Sequence, residues 1–142
     1  MNPDFLRTVA ESAGRVAETF QGLPFRADRP YDPRPVATTA ATELAVLRAA
    51  VAKLDGPLVL DVPGQHAKTE PLGVDLAGLM SFLQLIEVLY HGLDAVPPVM
   101  TVAAGRNLSA TQVIARRVRD RARKELAAGI IDLPEARGLR AD

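Results

Sequence analysis

The chain has 142 residues, of which 48% are hydrophobic, and its acidic and basic side chains are equal in number. This length suits one domain with its own core, and the hydrophobic fraction excludes a chain that is disordered by composition. The absence of cysteine excludes a disulfide scaffold, thiol catalysis and cysteine-ligated metal sites. Because only 4% of the residues are aromatic, the core must consist of Leu, Val, Ile and Ala, a composition typical of helical proteins.

The N-terminal segment carries the signals of a helix. Asn2 is a capping residue, Pro3 suits the first helical position, and Asp4 suits the positive end of the helix dipole. Gly22 is the kind of residue that commonly follows a last helical turn. The apolar residues that fall on one helical face are Phe5, Val9, Ala13, Val16 and Phe20.

Hydropathy along the chain bears on location. The first residues lack a basic head followed by an apolar run, so we expect no signal peptide. No stretch reaches the roughly 20 uncharged apolar residues that span a bilayer. We therefore expect a cytoplasmic protein without a membrane partner.

A proline-rich segment follows at residues 23–37, with four prolines within twelve positions. Proline blocks regular helix and sheet pairing, so we predict an extended arm that wraps the domain or reaches a neighbouring molecule. A second helix is predicted from 39 to 54, and we favour core packing of its apolar seam over an oligomeric coiled coil. That seam consists of Leu44, Leu47, Val51 and Leu54.

Two short apolar runs, residues 58–62 and 99–103, are predicted to be strands on either side of a helix at 76–91. This helix is apolar almost all round, which predicts a central, buried position. The predicted fold class is therefore α+β and mostly helical, with about four helices around helix 76–91 and one short two-strand element. The whole chain, 1–142, is predicted to be a single domain with a C-terminal tail at 130–142.

The first predicted strand ends in Asp61-Val-Pro-Gly64, which matches over four residues the D-x-x-G switch segment of GTP-binding proteins. Those proteins also need a Gly-rich loop ending in Lys-Ser or Lys-Thr, which cradles the phosphates. That motif does not occur in this sequence, and Pro-Gly after a strand is ordinary turn chemistry. We therefore interpret the segment as a turn and not as a nucleotide site.

A small-ligand site can be constructed at the ends of the predicted strands. If the two strands lie parallel, the loops at their carboxyl ends meet, and a helix N-terminus follows beside an arginine. This arrangement predicts a site for a small anion or a phosphate. The candidate residues are Asp61, His66, Gly105, Arg106 and Asn107.

Two residues on the helix at 76–91 raise the question of a metal site. Glu87 and His91 are four positions apart, so they share a helical face and could join His66 as ligands. A solvated polar stripe explains the same spacing, and we favour it. We assign neither a metal nor a cofactor.

The last predicted helix, residues 109–128, is strongly basic. Ser109 and Gln112 form a capping box at its predicted start. Its buried side is predicted to comprise Val113, Ile114, Val118, Ala122 and Leu126. Its basic surface suits a solvated face, a protein interface or a polyanion. The candidate interface or polyanion-binding residues are Arg116, Arg117, Arg119, Arg121, Arg123 and Lys124.

Charge is unevenly distributed: residues 38–105 carry seven acids and three bases, whereas residues 106–142 carry nine bases and five acids. With the proline-rich arm, this asymmetry favours a non-catalytic structural or interaction protein, a homo-oligomer or a subunit bound to a protein partner in a larger assembly. A component of a phage or another particle fits this description. One alternative is a nucleic-acid-binding protein that uses helix 109–128. The other is a small anion- or phosphate-binding α/β protein or enzyme that uses the strand ends.

Overall fold

The computed structural model describes residues 2–21, 34–54, 56, 71–90 and 102–131. These residues form four helices, α1 (Pro3–Gln21), α2 (Arg34–Ala52), α3 (Pro71–Tyr90) and α4 (Val102–Ile131). The expectation of a mostly helical fold is confirmed.

The predicted two-strand element, and with it the α+β class, is wrong for the described part of the chain, where all regular structure is helical. Val102 and Ala103, the end of the predicted strand 99–103, form the first turn of α4. The strand propensity of five residues is a weak signal. Extending a neighbouring helix adds one hydrogen bond for each further residue, so the helix is favoured here. The predicted strand 58–62 lies outside the described residues.

The N-terminus of α1 forms as its sequence predicts. The Asn2 side-chain oxygen accepts a 2.7 Å hydrogen bond from the Asp4 backbone N–H, which satisfies one of the free donors of the first turn. Arg7 pairs with Asp4 at 3.2 Å on the exposed side of the same turn. The predicted apolar face is buried in full, with Phe5 the most exposed of its five residues at 6%.

The boundaries of α2 differ from the prediction. The helix begins at Arg34, with Pro35 in its first turn, where the fixed φ of proline suits the helix and the missing N–H is not needed. Residues 34–37 of the predicted arm are therefore helical, and residues 23–33 lie outside the described part of the chain. The helix closes with two tighter i→i+3 bonds, from the N–H groups of Lys53 and Leu54.

α4 starts seven residues earlier than predicted, so Ser109 and Gln112 lie inside the helix and do not form a capping box. The buried stripe of α4 consequently runs through Leu108, Thr111, Ala115, Val118 and Ala122. Val113, predicted to be buried, is 55% exposed because it lies on the side of the helix opposite this stripe. Residues 130–131 of the predicted tail belong to the last turn of α4, and the remainder lies outside the described residues.

The helices pack in a closed ring in which α1 and α3 each contact both α2 and α4. Within the described residues α1 and α3 do not touch each other, so α3 is one side of the ring and not its centre. α1 and α2 run in opposite directions, because Ser12 contacts Glu43 whereas Thr19, further along α1, contacts the earlier Thr39. The predicted central position of helix 76–91 is therefore wrong.

α1 and α4 share the most extensive contact of the fold. The side chains that both helices bury include many alanines, and small side chains at a contact permit close approach of the helix axes. Gly14 extends this close approach, since the Arg119 Cδ would lie only 3.6 Å from a Cβ at this position. The aliphatic stem of Arg119 thus passes over α1 with its guanidinium kept near solvent.

A buried carboxylate joins α1 to α2. The Glu43 side chain is 6% exposed, and its Oε1 accepts hydrogen bonds from the Ser12 Oγ and the Arg15 Nη2, each at 2.9 Å. Its Oε2 accepts a 2.8 Å bond from the Arg15 Nε, so the guanidinium binds the carboxylate through two nitrogens. These hydrogen bonds raise the pKa of Arg15 above its usual value. The network sets the register of α1 against α2, because a shifted helix would leave a buried charge without a partner.

Replacing Arg15 should lower the free energy of unfolding more than replacing Glu43. Arg15→Met leaves the Glu43 carboxylate buried with only the Ser12 hydroxyl, and we expect a loss of about 3 kcal/mol in the free energy of unfolding. Glu43→Met leaves a half-exposed Arg15 that can turn to water, so we expect about 1 kcal/mol, mainly from the unpaired Ser12. Urea unfolding followed by circular dichroism measures both values. Equal costs, or the reverse order, would contradict this assignment.

Two helical glycines provide a matched test of the helix contacts. Gly14→Ala should stabilise the protein by about 0.5–1 kcal/mol, because alanine favours the helix and its Cβ meets Arg119 at an ordinary contact distance. Gly78→Ala should stabilise less, because its Cβ would lie 2.8 Å from the Ile114 Cδ1 and Ile114 would have to move. Thermal unfolding of both variants compares the two contacts, and an equal or larger gain for Gly78→Ala would show that α3 and α4 are loosely packed.

Candidate interaction surface

The basic residues of α4 lie on the flanks and the outer face of the helix, because the opposite side forms the buried stripe. They divide into residues bound within the chain and residues without an ion-pair partner in the described region. This division decides which of them are free to contact another molecule. The prediction treated all six alike.

Arg117 and Arg121 bind a buried acid on α3. The Arg117 Nη1 lies 3.5 Å from the Asp75 Oδ1, and the Arg121 Nε lies 3.1 Å from the Asp75 Oδ2. The Asp75 side chain is only 12% exposed. Oδ2 nevertheless accepts no hydrogen bond, so the Arg121 contact is a close charge pair whose N–H is not aimed at the oxygen. We call Asp75, Arg117 and Arg121 the α3–α4 clamp.

Arg119 and Arg116 face the α1 side of α4. The Arg119 Nε donates a 3.0 Å hydrogen bond to the neighbouring Asp120 Oδ1. The Gln112 side-chain amide has partners for both of its polar atoms in one orientation. In that orientation the Gln112 side-chain oxygen accepts hydrogen bonds from the Arg116 Nη2 and the Gln21 backbone N–H, each at 3.3 Å. These contacts are weak and exposed, but they hold both arginines close to the protein surface.

Arg123 and Lys124 are exposed at the C-terminal part of α4. Within the described part of the chain, neither forms an ion pair. These two cations are therefore the members of the predicted basic set whose charge is most available to another molecule.

α3 presents an apolar surface to solvent beside this basic helix. Val74, Leu85 and Val88 are 47%, 41% and 68% exposed, respectively, although each is aliphatic. Ser81 lies between them and donates a 3.0 Å hydrogen bond to the Ala77 carbonyl oxygen, so its hydroxyl already has a partner. We call Val74, Ala77, Ser81, Leu85 and Val88 the outer stripe of α3. Ser81, Leu85 and Val88 lie 7, 11 and 14 positions after Val74, and this spacing places all four residues on one face of the helix.

A shallow cavity of about 400 Å³ lies at the C-terminal end of the outer stripe, with Arg48, Gln84, Glu87 and Val88 among its lining residues. It places a cation of α2 next to the most exposed valine of α3. A second cavity, of about 450 Å³, lies between the start of α1 and the end of α2. Its lining is mostly apolar, and the one acid there, Asp4, is already paired with Arg7.

Three of the residues predicted for an anion site follow a helical turn and not a strand. Gly105, Arg106 and Asn107 belong to the first turns of α4 and not to a loop after a strand, and the Asn107 carbonyl oxygen accepts a 2.6 Å bond from Thr111. Asp61 and His66 lie outside the described residues, as does His91. The approach of Asp61 and His66 to Arg106, and of His91 to Glu87, therefore stays a prediction.

Two features of this surface were not predicted from the sequence. Asp75 precedes the predicted helix 76–91, but α3 begins at Pro71, so Asp75 lies inside the helix and is the acid of the clamp. The outer stripe was also missed, although residues 76–86 contain no charged side chain. A helix that is apolar all round is typically buried on all sides, either by its own chain or by another molecule.

Comparisons of this chain with protein-family models, with curated proteins and with solved structures give no match. Among the described residues, no three His, Asp or Glu side chains are grouped to hold a metal ion. None of the four helices is both long and apolar enough to cross a membrane. The surface formed by α3 and α4 is therefore the basis on which a function can be proposed.

The two classes of cation on α4 can be separated by charge reversal. Arg117→Glu with Arg121→Glu places two acids beside the buried Asp75, and we expect a loss of about 3 kcal/mol or more in unfolding free energy. Arg123→Glu with Lys124→Glu makes the same change of charge on the same helix and should change stability by only about 0.5 kcal/mol. Chemical unfolding compares the pairs. If both pairs cost the same, the clamp does not hold α3 on α4.

Proposed function

We propose that this chain is a non-catalytic interaction protein that works as a subunit of a larger assembly. Its contact surface is formed by the outer stripe of α3 and the exposed basic residues of α4 beside it. We thus keep the hypothesis of a protein partner and propose that the partner contacts α3 and α4.

The observation that supports it is the exposed apolar stripe of α3 beside a basic helix, α4, on which Arg123 and Lys124 have no ion-pair partner in the described region. Exposed aliphatic side chains that cluster on one helix and are bordered by charged residues are typical of protein-binding surfaces. The other large hydrophobic residue exposed among the described residues, Val113, lies on α4, so these residues are confined to two adjacent helices.

The buried titratable groups support the same proposal. Glu43 and Asp75 are each bound by arginine from a different helix, and each joins two helices. Structural ion pairs of this kind account for the burial of both carboxylates without a catalytic role. Neither carboxylate lines either of the two cavities described above.

Binding of nucleic acid through α4 is the rival use of the same cations. Interfaces with DNA are more polar and more positive than protein interfaces, and phosphates make no use of an aliphatic stripe. The apolar stripe on the neighbouring helix therefore favours a protein partner. Titration with duplex DNA at low salt distinguishes the two, because phosphate contacts give an affinity that falls steeply with salt.

The test measures the size of the particle that contains this chain in its native cells. We expect a tagged chain to sediment as a species well above its own 15.2 kDa, and Arg123→Glu with Lys124→Glu to shift it towards that mass. Circular dichroism of the purified variant should be unchanged.

The matched control is Arg7→Glu with Lys53→Glu, which makes the same change of charge on α1 and just after α2. This control should leave the particle mass unaltered. A wild-type chain that sediments as a free monomer, or a control that disperses the particle equally well, would contradict the proposal.

A further inference from the structure

We infer that the outer stripe of α3 binds an acidic amphipathic helix of a different protein. This inference rests on the proposed function and specifies the chemistry of the partner. It follows from the shape of the stripe, from the charges beside it, and from what a second copy of this chain is able to offer.

The apolar part of the surface has the dimensions of a helix-binding site. Val74 and Val88 are 14 positions apart, which on a helix is about 21 Å, or about four turns. A partner helix of similar length with apolar residues at three- and four-residue spacing matches such a surface. The cavity beside Val88 provides a recess for one of those side chains.

Cations stand on both sides of the stripe. On the α4 side, Arg117 and Arg121 keep 51% and 42% of their side chains exposed although they bind Asp75, and Lys124 is exposed on the same helix. On the α2 side, Arg48 is exposed and borders the cavity at Val88. The partly exposed acids of the described residues in this area are Glu87 of α3 and Glu125 of α4, so the cations are in excess. A partner with carboxylates on both sides of its apolar face is therefore complementary to this surface.

A second copy of this chain offers an excess of cations and few carboxylates. In an isologous contact between two α3 stripes, the α4 cations would face α4 or α2 of the other copy. The acid of α2 is Glu43, which is buried, and the two acids of α4, Asp120 and Glu125, are outnumbered by its seven cations. Opposed surfaces with the same excess of positive charge repel each other.

A head-to-tail contact between copies fails for a different reason. α1 carries exposed acids at Asp4, Glu11 and Glu18. The large hydrophobic residues that are exposed in the described part of the chain all lie on α3 and α4, so α1 offers no apolar surface to cover the stripe. Among the described helices, α3 has its apolar stripe near Glu87 and α4 has Val113 and Asp120, but neither has a row of exposed apolar residues bordered by acids on both sides. The partner is therefore a different polypeptide.

The experiment measures binding of two synthetic helical peptides by fluorescence anisotropy. One has leucines on one face with glutamates on both sides of them, and the other has lysines in place of every glutamate. We expect the acidic peptide to bind the full chain and the lysine peptide to bind at least about tenfold more weakly. Val88→Asp should weaken the acidic peptide by about tenfold, the loss expected when one aliphatic contact is replaced by a repelling charge.

The matched control is Ala49→Asp, which introduces the same charge at an exposed residue of α2 that borders the cavity beside α1 and lies away from the stripe. It should bind the acidic peptide as the wild type does. Equal binding of both peptides, no binding of either, or equal effects of the two aspartate variants would overturn the inference.

The same variants also test three other molecules that could cover the outer stripe. A concentration-dependent dimer that Val88→Asp dissolves would replace the inference with a second copy. Co-flotation with anionic vesicles that Val88→Asp abolishes would replace it with a lipid surface. Binding to duplex DNA that competes with the acidic peptide would replace it with a nucleic acid.

The inference and the proposed function fail separately. If Arg123→Glu with Lys124→Glu reduces the native particle mass and Val88→Asp does not, the interaction protein stands and the stripe is not its contact. If neither variant changes the mass, both proposals fall. If both reduce it and the acidic peptide binds as expected, both are supported.

Discussion

The orientation of α3, and with it the exposure of its outer stripe, depends on one buried carboxylate. Asp75 sits in the second turn of α3 with its side chain 12% exposed, and the charges that compensate it come from Arg117 and Arg121 of α4. Because a buried charge without partners is strongly destabilising, α3 is held at the position where these two arginines reach it. That position turns Val74, Leu85 and Val88 to solvent and places a basic helix alongside them.

The same device appears on the other side of the fold, where Glu43 of α2 is bound by Arg15 and Ser12 of α1. In both cases the acid is buried, and the arginine remains half exposed with part of its guanidinium in water. This arrangement avoids the full desolvation of two charges and still fixes the register between helices. The leucine and alanine core provides the bulk of the packing but discriminates poorly between neighbouring registers, which is why the buried acids matter to the geometry of the surface.

The features that could be predicted from sequence were those decided within one helix. The cap at Asn2 and the apolar face from Phe5 to Phe20 depend on neighbouring residues, and both are as expected. The start of α4 could not be obtained in this way, because the sequence pattern of Ser109 and Gln112 matches a capping box whether or not the chain before them is helical. The role of Asp75 depends on two arginines more than 40 positions away, and no local pattern connects them. Only part of the candidate surface could therefore be predicted from the sequence. The cations of α4 were identified, but which of them form ion pairs within the chain was not.

The central claim is that the outer stripe of α3 is open in the isolated chain and covered in its working state. Since the chain contains no cysteine, a single Val88→Cys substitution gives one thiol whose reaction rate with a soluble maleimide reports coverage of the stripe. Glu11→Cys on the exposed side of α1 serves as the reference. We predict that both thiols react rapidly in the purified protein, and that inside the native cells Val88→Cys becomes protected while Glu11→Cys does not. Equal labelling of the two positions in the cell would contradict the claim.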